Sequence, residues 1–317
     1  MKIPDTPKNE VARLEALRSL NILDTPAEER FDRLTRLAKR IFDVPIALVS
    51  LVDEDRQWFK SCIGLDVSET PRDISFCGHA ILGNQIFIVP DTTQDDRFSD
   101  NPLVLNDPNI RFYAGCPLMH TDGSKLGTLC VIDTKPRFIS DEDIEALKDV
   151  AALAERELAA VQLATLDELT KISNRRGFLL LAQHSLNICE RQKVSASLVY
   201  FDLNKFKHIN DNFGHAAGDN ALTLFAEKMK STFRNSDVIA RIGGDEFVVL
   251  LTNAPIEIAN AIITRFKKSL DVHNKISDCG YDITCSVGIA TVTPDQSNSI
   301  ESLLREADAA MYKNKHA

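Results

Sequence analysis

The order of periodic segments predicts an α+β protein of two domains joined by one long helix. Three observations carry this. An N-terminal helical pattern is followed by short β-rich runs with polar turns between them. A helical pattern whose apolar residues alternate every three and four positions then occupies 141–166. Beyond it, strands and helices alternate to the chain end. The 317 residues suit two cores, since one domain takes about 150. The expected division is 1–140, a linking helix 141–166, and 167–317.

Residues 24–43 open with Thr25-Pro26-Ala27-Glu28, a capping box with Pro at the first helical position. Phe31, Leu34, Leu37, Ala38 and Ile41 follow at helical spacing and should form its buried face. Strands are expected over 46–52, 57–63, 86–89, 113–119 and 126–132, forming an antiparallel sheet. In the linking helix, Ile144, Leu147, Ala151, Ala154, Leu158, Val161 and Thr165 form a heptad seam. A narrow seam of this kind predicts a parallel two-stranded coiled coil and a homodimer, the alternative being a helix that lies on its own domain.

In the second domain, helices are expected over 174–191, 205–233, 255–274 and 300–314. Strands are expected over 197–203, 237–242, 246–251 and 282–292. After the leading helix the order is β-α-α-β-β-α-β, a ferredoxin-like arrangement.

Composition excludes several classes. Hydrophobic residues make up 44% and charged residues 26%, so a largely disordered chain is ruled out. Against 37 Lys+Arg stand 46 Asp+Glu, a formal net charge of −9. An acidic chain without a long basic run suits neither nucleic acid nor an anionic membrane as partner. A divalent metal could still bring a polyanion to it locally. The longest apolar stretch, 44–52, is too short to span a bilayer and is interrupted by Pro45 and Ser50. The segment MKIPDTPKNE lacks a signal-peptide core, so a cytoplasmic protein is expected. Seven cysteines without a CxxC pair suggest buried thiols rather than disulfides or zinc.

The chemistry concentrates in Arg241-Ile-Gly-Gly-Asp-Glu-Phe247. Two glycines between strand-like runs predict a tight hairpin of type I′, which needs positive φ at both central residues. Glycine also lets a phosphate approach the backbone closely. Asp245 and Glu246 follow at once, and their side chains diverge on an extended chain. A second acid, Asp202, ends the apolar strand Tyr200-Phe-Asp-Leu203. An acid closing one strand and another on a neighbouring hairpin can hold Mg²⁺.

FDLNKFKHINDNFGHAAGD (201–219) followed by RIGGDEF (241–247) resembles the GGDEF family of diguanylate cyclases. DELTKISNRRGF (167–178) resembles that family's opening motif and ADAAMYKNK (307–315) its last helix. The resemblance implies condensation of two GTP into cyclic di-GMP and pyrophosphate, with Mg²⁺ or Mn²⁺ as cofactor. It implies that Asp202, Asp245 and the Leu203 carbonyl bind metal, and that Glu246 is a ligand or the base for the attacking 3′-hydroxyl. Lys207 would face the phosphates, Asn210 and Asp219 the guanine edge, and Gly243 and Gly244 the substrate phosphate. Arg234-Asn-Ser-Asp237 resembles the family's inhibitory site for the product, which Arg265 would complete. Asn204 and Lys171 depart from frequent Asp and Gly. The family usually continues into a Gly-Arg-Asn-like tail, whereas this chain ends at Ala317. Lys315 is therefore expected to take the phosphate role. The alternative function is a catalytically weak domain that binds cyclic di-GMP or GTP as an effector.

The first domain resembles a GAF domain, through residues 16–60, SETPRDISFCGHAI (68–81) and KLGTLCVID (125–133). The resemblance implies a sensor or dimerisation module with an unknown small ligand or none. Cys77 and His79 read as a buried thiol and a hydrogen-bonded imidazole, Trp58 as core, and Phe76, Phe112 and Tyr113 as candidate pocket liners.

Overall fold

A computed structural model of the chain describes residues 1–234, 236–293 and 298–315. The chain divides into two compact units, Met1–Gln162 and Leu163–Ala317.

The first unit contains α1 (Glu10–Ser19), α2 (Glu29–Phe42), β1 (Ile46–Val52), β2 (Arg56–Ile63), β3 (Glu69–Pro71) and α3 (Phe76–Ala80). It continues with β4 (Phe87–Val89), α4 (Pro102–Leu105), β5 (Phe112–Met119) and β6 (Lys125–Asp133), and the helix α5 spans Asp141–Thr165. Six strands form one sheet in the order β3-β2-β1-β6-β5-β4, and the pairings are antiparallel. Every residue of β1 is buried, as befits a strand covered on both faces.

Three expectations for this unit need correction. Helix α2 starts at Glu29, and its N-cap Glu28 makes no side-chain capping bond. Thr25 instead donates to the Ile22 carbonyl and accepts from Lys60, so the capping-box residues fold a turn ahead of the helix. Leu37 and Ile41 are exposed, while Phe31, Leu34, Thr35, Ala38 and Phe42 are buried. The buried stripe runs through Thr35, whose hydroxyl meets Ser61 at 2.8 Å, a partner the apolar count could not foresee. Lastly, the α5 seam serves its own unit: Leu147, Ala151, Ala154, Leu158 and Val161 share one buried cluster with Leu17, Phe31 and Leu129. The stripe that was expected to face a second helix faces the sheet layer of its own chain. Spacing of three and four fits either partner equally well.

Helix α1 was not foreseen. Its Arg13 is 1% exposed and reaches the Val52 carbonyl at 2.6 Å, with Glu10 beside it. Trp58 is buried as expected. Phe76 stacks on Phe98 and on Tyr113, so these rings pack against one another. Phe112 lies in the other cluster, with Trp58.

The second unit contains α6 (Arg175–Gln192), β7 (Ala196–Leu203), α7 (Phe206–Phe213), α8 (His215–Thr232), β8 (Val238–Arg241) and β9 (Glu246–Leu251). It ends with α9 (Ile256–Ile276), β10 (Cys285–Val292) and α10 (Ile300–Lys315). The four strands order as β10-β7-β9-β8 with antiparallel pairing, the ferredoxin-like topology. Both faces are covered. Val199, Phe201 and Leu203 point into the cluster with Phe225 and Phe266, while Leu198 and Tyr200 point into that with Phe178 and Met311. The period of two therefore fixes the face of the next residue in the second set, Asp202.

Candidate active site

The site forms where the acid end of β7 meets the glycine hairpin. Asp202 is 8% exposed, and in the ladder it pairs directly with Glu246 of β9. Two carboxylates opposite each other on one face are mutually repulsive. A third, Asp245, comes alongside, since its carbonyl accepts from the Leu203 N–H at 3.1 Å. Burial raises the Asp245 pKa, and the Asp202 charge adds to the rise. The sheet thus gathers negative charge that calls for a cation.

Lys315 supplies one. Helix α10 lies close on β10, where a Cβ on Gly288 would fall 2.0 Å from the Ala307 carbonyl. Asn314 fixes the last turn by donating to the Val287 carbonyl at 2.9 Å. So held, the Lys315 ammonium reaches Asp202 Oδ1 at 2.5 Å.

Glu246 is oriented by a residue that the motif alone did not single out. The Tyr200 hydroxyl donates to Glu246 Oε1 at 2.9 Å. The available signal was the strand period, which puts Tyr200 on the face of Asp202. Glu246 Oε2 lies over the hairpin, where an ideal Cβ on Gly243 would fall 2.1 Å from it.

This corrects the expected turn. The positive-φ glycines are Gly64, Gly123, Gly214 and Gly280, so neither hairpin glycine is left-handed and the turn is not type I′. Gly243 is required because a side chain would displace Glu246. Gly244 has nothing within 4 Å of its would-be Cβ, leaving room for a ligand. The loop is braced by Arg241, which donates to the Gly244 carbonyl at 2.8 and 3.1 Å and to both Asp167 oxygens at 3.2 Å. Asp167 also accepts from the Thr170 N–H and hydroxyl. The opening motif therefore supports the hairpin.

Asn210 and Asp219 sit on α7 and α8, which meet at Gly214. An ideal Cβ on Gly218 would lie 2.0 Å from Asn210 Oδ1, so this glycine brings the Asn210 amide next to the backbone that carries Asp219. Asp219 and Lys207 are exposed.

The Arg234–Asp237 segment does not form a side-chain ion pair. Asp237 Oδ2 accepts from the Arg234 backbone N–H at 2.9 Å, and Oδ1 from the Thr252 N–H at 3.2 Å. Burial raises its pKa. Asp237 thus shapes the loop, and Arg234 stays exposed. Arg265 of α9 donates to the Thr232 carbonyl at 2.7 Å, which brings it next to this loop. Asn235, inside the motif, lies outside the described residues.

The acid pair fits a divalent cation. Its ordinary charge is repulsive, it already draws a lysine, and its oxygens are hard donors. Among the described residues no preassembled group of three or more metal-ligating side chains occurs. Asp202 and Asp245 would therefore hold the ion together with backbone and ligand oxygens.

A four-stranded ferredoxin-like sheet with a glycine hairpin beside an acid-ended strand defines a GGDEF-type domain. Residues 164–317 match the family model described as diguanylate cyclase, GGDEF domain, and 26–158 match that of the GAF domain. The chain carries a GAF domain followed by a GGDEF domain. It is 42% identical over 177 residues to Cyclic di-GMP phosphodiesterase PA2567 of Pseudomonas aeruginosa, covering 55% of this chain and 30% of that one. To Probable diguanylate cyclase DgcC of Escherichia coli it is 34% identical, over 52% of this chain and 44% of that one. The chain thus spans less than half the length of these two relatives. To Diguanylate cyclase DgcP of Escherichia coli it is 29% identical over 77% of this chain and 74% of the relative. The solved GGDEF domain of PA1120 from Pseudomonas aeruginosa is 34% identical, over 48% of this chain and 88% of that one, at a TM-score of 0.44. Among the described residues no helix is long and apolar enough to cross a membrane.

Proposed function

We propose that the second domain is a diguanylate cyclase, joining two GTP molecules into cyclic di-GMP and releasing pyrophosphate. The observation that carries this reading is the Asp202–Asp245 pair, one acid buried and the other half-buried beside a glycine hairpin, with Lys315 balancing Asp202. Asp202, Asp245 and the Leu203 carbonyl hold Mg²⁺ or Mn²⁺. When bound, the metal screens the α-phosphate and favours ionisation of the attacking 3′-hydroxyl. Lys315 leaves Asp202 and turns to the terminal phosphates, and Lys207 faces them from α7. Gly244 leaves space for a phosphate oxygen at the backbone. Tyr200 occupies Glu246 Oε1, so Oε2 is the oxygen left to accept the 3′-hydroxyl proton or to join the ligand set.

Asn210 and Asp219 read the guanine edge. A carboxylate accepts from guanine N1–H and N2–H₂, whereas adenine has no donors there. The product is two-fold symmetric and each domain brings one GTP, so two copies of the domain meet face to face. Arg234 and Arg265 bind the product when it inhibits, while Asp237 sets the loop. The GAF domain regulates this cytoplasmic reaction.

The test is to incubate the full chain with GTP and Mg²⁺ or Mn²⁺ and resolve the nucleotides. Cyclic di-GMP made by the wild type and lost in Asp202→Asn supports the reading. Tight binding of cyclic di-GMP without turnover would replace it with the effector role.

A further inference from the structure

Between α3 and the sheet of the first unit, Cys77 and Cys130 face each other with sulfurs 3.9 Å apart. Both are buried, at 1% and 0% exposure. This is a pair built around one sulfur. The Thr128 hydroxyl donates to Cys77 Sγ at 3.0 Å and the Tyr113 hydroxyl at 3.3 Å. Ser50 Oγ is buried nearby with no hydrogen-bond partner of its own. Hydroxyl groups gathered on a sulfur in an apolar core stabilise negative charge there.

The two thiols are unequal. Burial opposes ionisation of Cys77, yet hydrogen bonds from Cys130, Thr128 and Tyr113 outweigh it and hold this thiol below its ordinary value. Burial pushes Cys130 well up instead. Burial likewise raises Cys116 to about 11 and Cys285 to about 12. Cys77 has the profile of an attacking thiolate, and Cys130 that of a thiol waiting beside it.

We propose that Cys77 and Cys130 form a reversible disulfide when the protein meets a hydroperoxide, making this core a thiol-based oxidation site. The Cys77 thiolate attacks the outer peroxide oxygen. The O–O bond breaks, and the departing alkoxide or hydroxide takes a proton to leave as alcohol or water. The Cys130 sulfur then attacks the Cys77 sulfenic acid. The S–O bond breaks, and the hydroxyl leaves as water with the Cys130 proton. Two thiols lose two electrons, and one peroxide gains them. The sulfurs need to close by only about 2 Å to reach bonding distance. Helix α3 spans five residues, so a small peroxide enters by local opening rather than global unfolding. A thiol reductant restores the pair, as is usual for a disulfide in a reducing compartment.

The experiment uses the reduced full chain and hydrogen peroxide, without denaturant. The sample is quenched, unfolded with an alkylating agent and mapped by peptide mass. The expected result is a Cys77–Cys130 cross-link, lower in mass by two hydrogens and reversed by dithiothreitol. In Cys130→Ser, dimedone should instead trap a sulfenic acid at Cys77. In Cys77→Ser, oxidation of Cys130 should slow by about 10-fold or more. Should Cys77 and Cys130 stay fully alkylatable while Cys62 or Cys279 oxidises, the proposal is overturned. Either cysteine cross-linked to a different partner overturns it as well. The wild-type map decides the matter even where a serine variant fails to fold.

Discussion

Gly243→Ala separates the role of the hairpin glycine in placing Glu246 from any role in folding. The added methyl group would sit 2.1 Å from Glu246 Oε2. Real Cβ contacts begin near 3.0 Å, so the carboxylate must retreat by roughly 1 Å in a close-packed setting. The clash is with the far end of a flexible side chain and not with backbone, so the hairpin itself can stay. Retreat takes Glu246 away from the Tyr200 hydroxyl, now 2.9 Å from Oε1. Loss of one such hydrogen bond costs about 1 kcal/mol of stability. A misplacement of about 1 Å at the reacting centre costs up to ~100-fold in rate. The expected outcome is a small change in the urea midpoint with a fall in kcat of about 30- to 100-fold. Glu246→Gln is the comparison, since it keeps the shape and the Tyr200 bond while removing the charge. The assay is cyclic di-GMP formation under saturating GTP, with a urea melt of each variant. If Gly243→Ala keeps wild-type kcat at an unchanged midpoint, Glu246 does not act from the position described.

Asp202→Asn should lower turnover by ~100-fold or more, the scale of losing transition-state charge stabilisation, as measured by nucleotide chromatography. Asp245→Asn should do the same and also raise the melting temperature of the metal-free protein. The raised Asp245 pKa means that its ionisation opposes folding, and this opposition grows as pH rises through the carboxylate range. The reverse holds for Glu10, whose pKa falls to about 2 because bonds to Arg13 and Arg72 outweigh its burial. Its stabilisation is present above the ordinary value of 4.5 and is lost as pH falls towards 2. Glu10→Gln should therefore destabilise the first domain at pH 7 and matter little at the acid end, as read by circular dichroism melts. ATP should be cyclised ~10⁴-fold less efficiently than GTP if Asp219 and Asn210 read guanine. Arg234→Ala should relieve inhibition by cyclic di-GMP while leaving the initial rate similar, as shown by progress curves with added product.

The strands of both domains were legible because alternating and continuous apolar runs leave few options. Residues 46–52 and 246–251 are strands over the expected spans. The acids of the site were legible from motif and spacing. Their supports were less so. Arg241 and Asp167 lie 74 positions apart, and only the folded chain shows that they brace one loop. The α5 seam was legible as a seam but not as to its partner, since knobs at that spacing enter a sheet layer as readily as a second helix. Helix α1 buries Leu14, Ala16 and Leu17 together with Arg13, and the charged Arg13 breaks the short apolar stripe that would have marked it. The hairpin was misjudged for a related reason. A glycine can be demanded by a neighbouring side chain as well as by its own φ, and the sequence does not distinguish the two.

Asp167 follows the last residue of α5, Thr165, by only two positions. That short span is clamped: the Asn174 amide donates to the carbonyls of Ala164 and Leu166, and the Asn174 N–H to that of Thr165. The turn after the helix is thus held at three successive carbonyls. From Asp167, the Arg241 guanidinium leads onto the Gly244 carbonyl, and the Arg241 N–H also donates to the Ser173 carbonyl at 2.9 Å. The opening segment and the glycine hairpin are therefore tied together, so a displacement of Asp167 bears directly on the Gly244 loop.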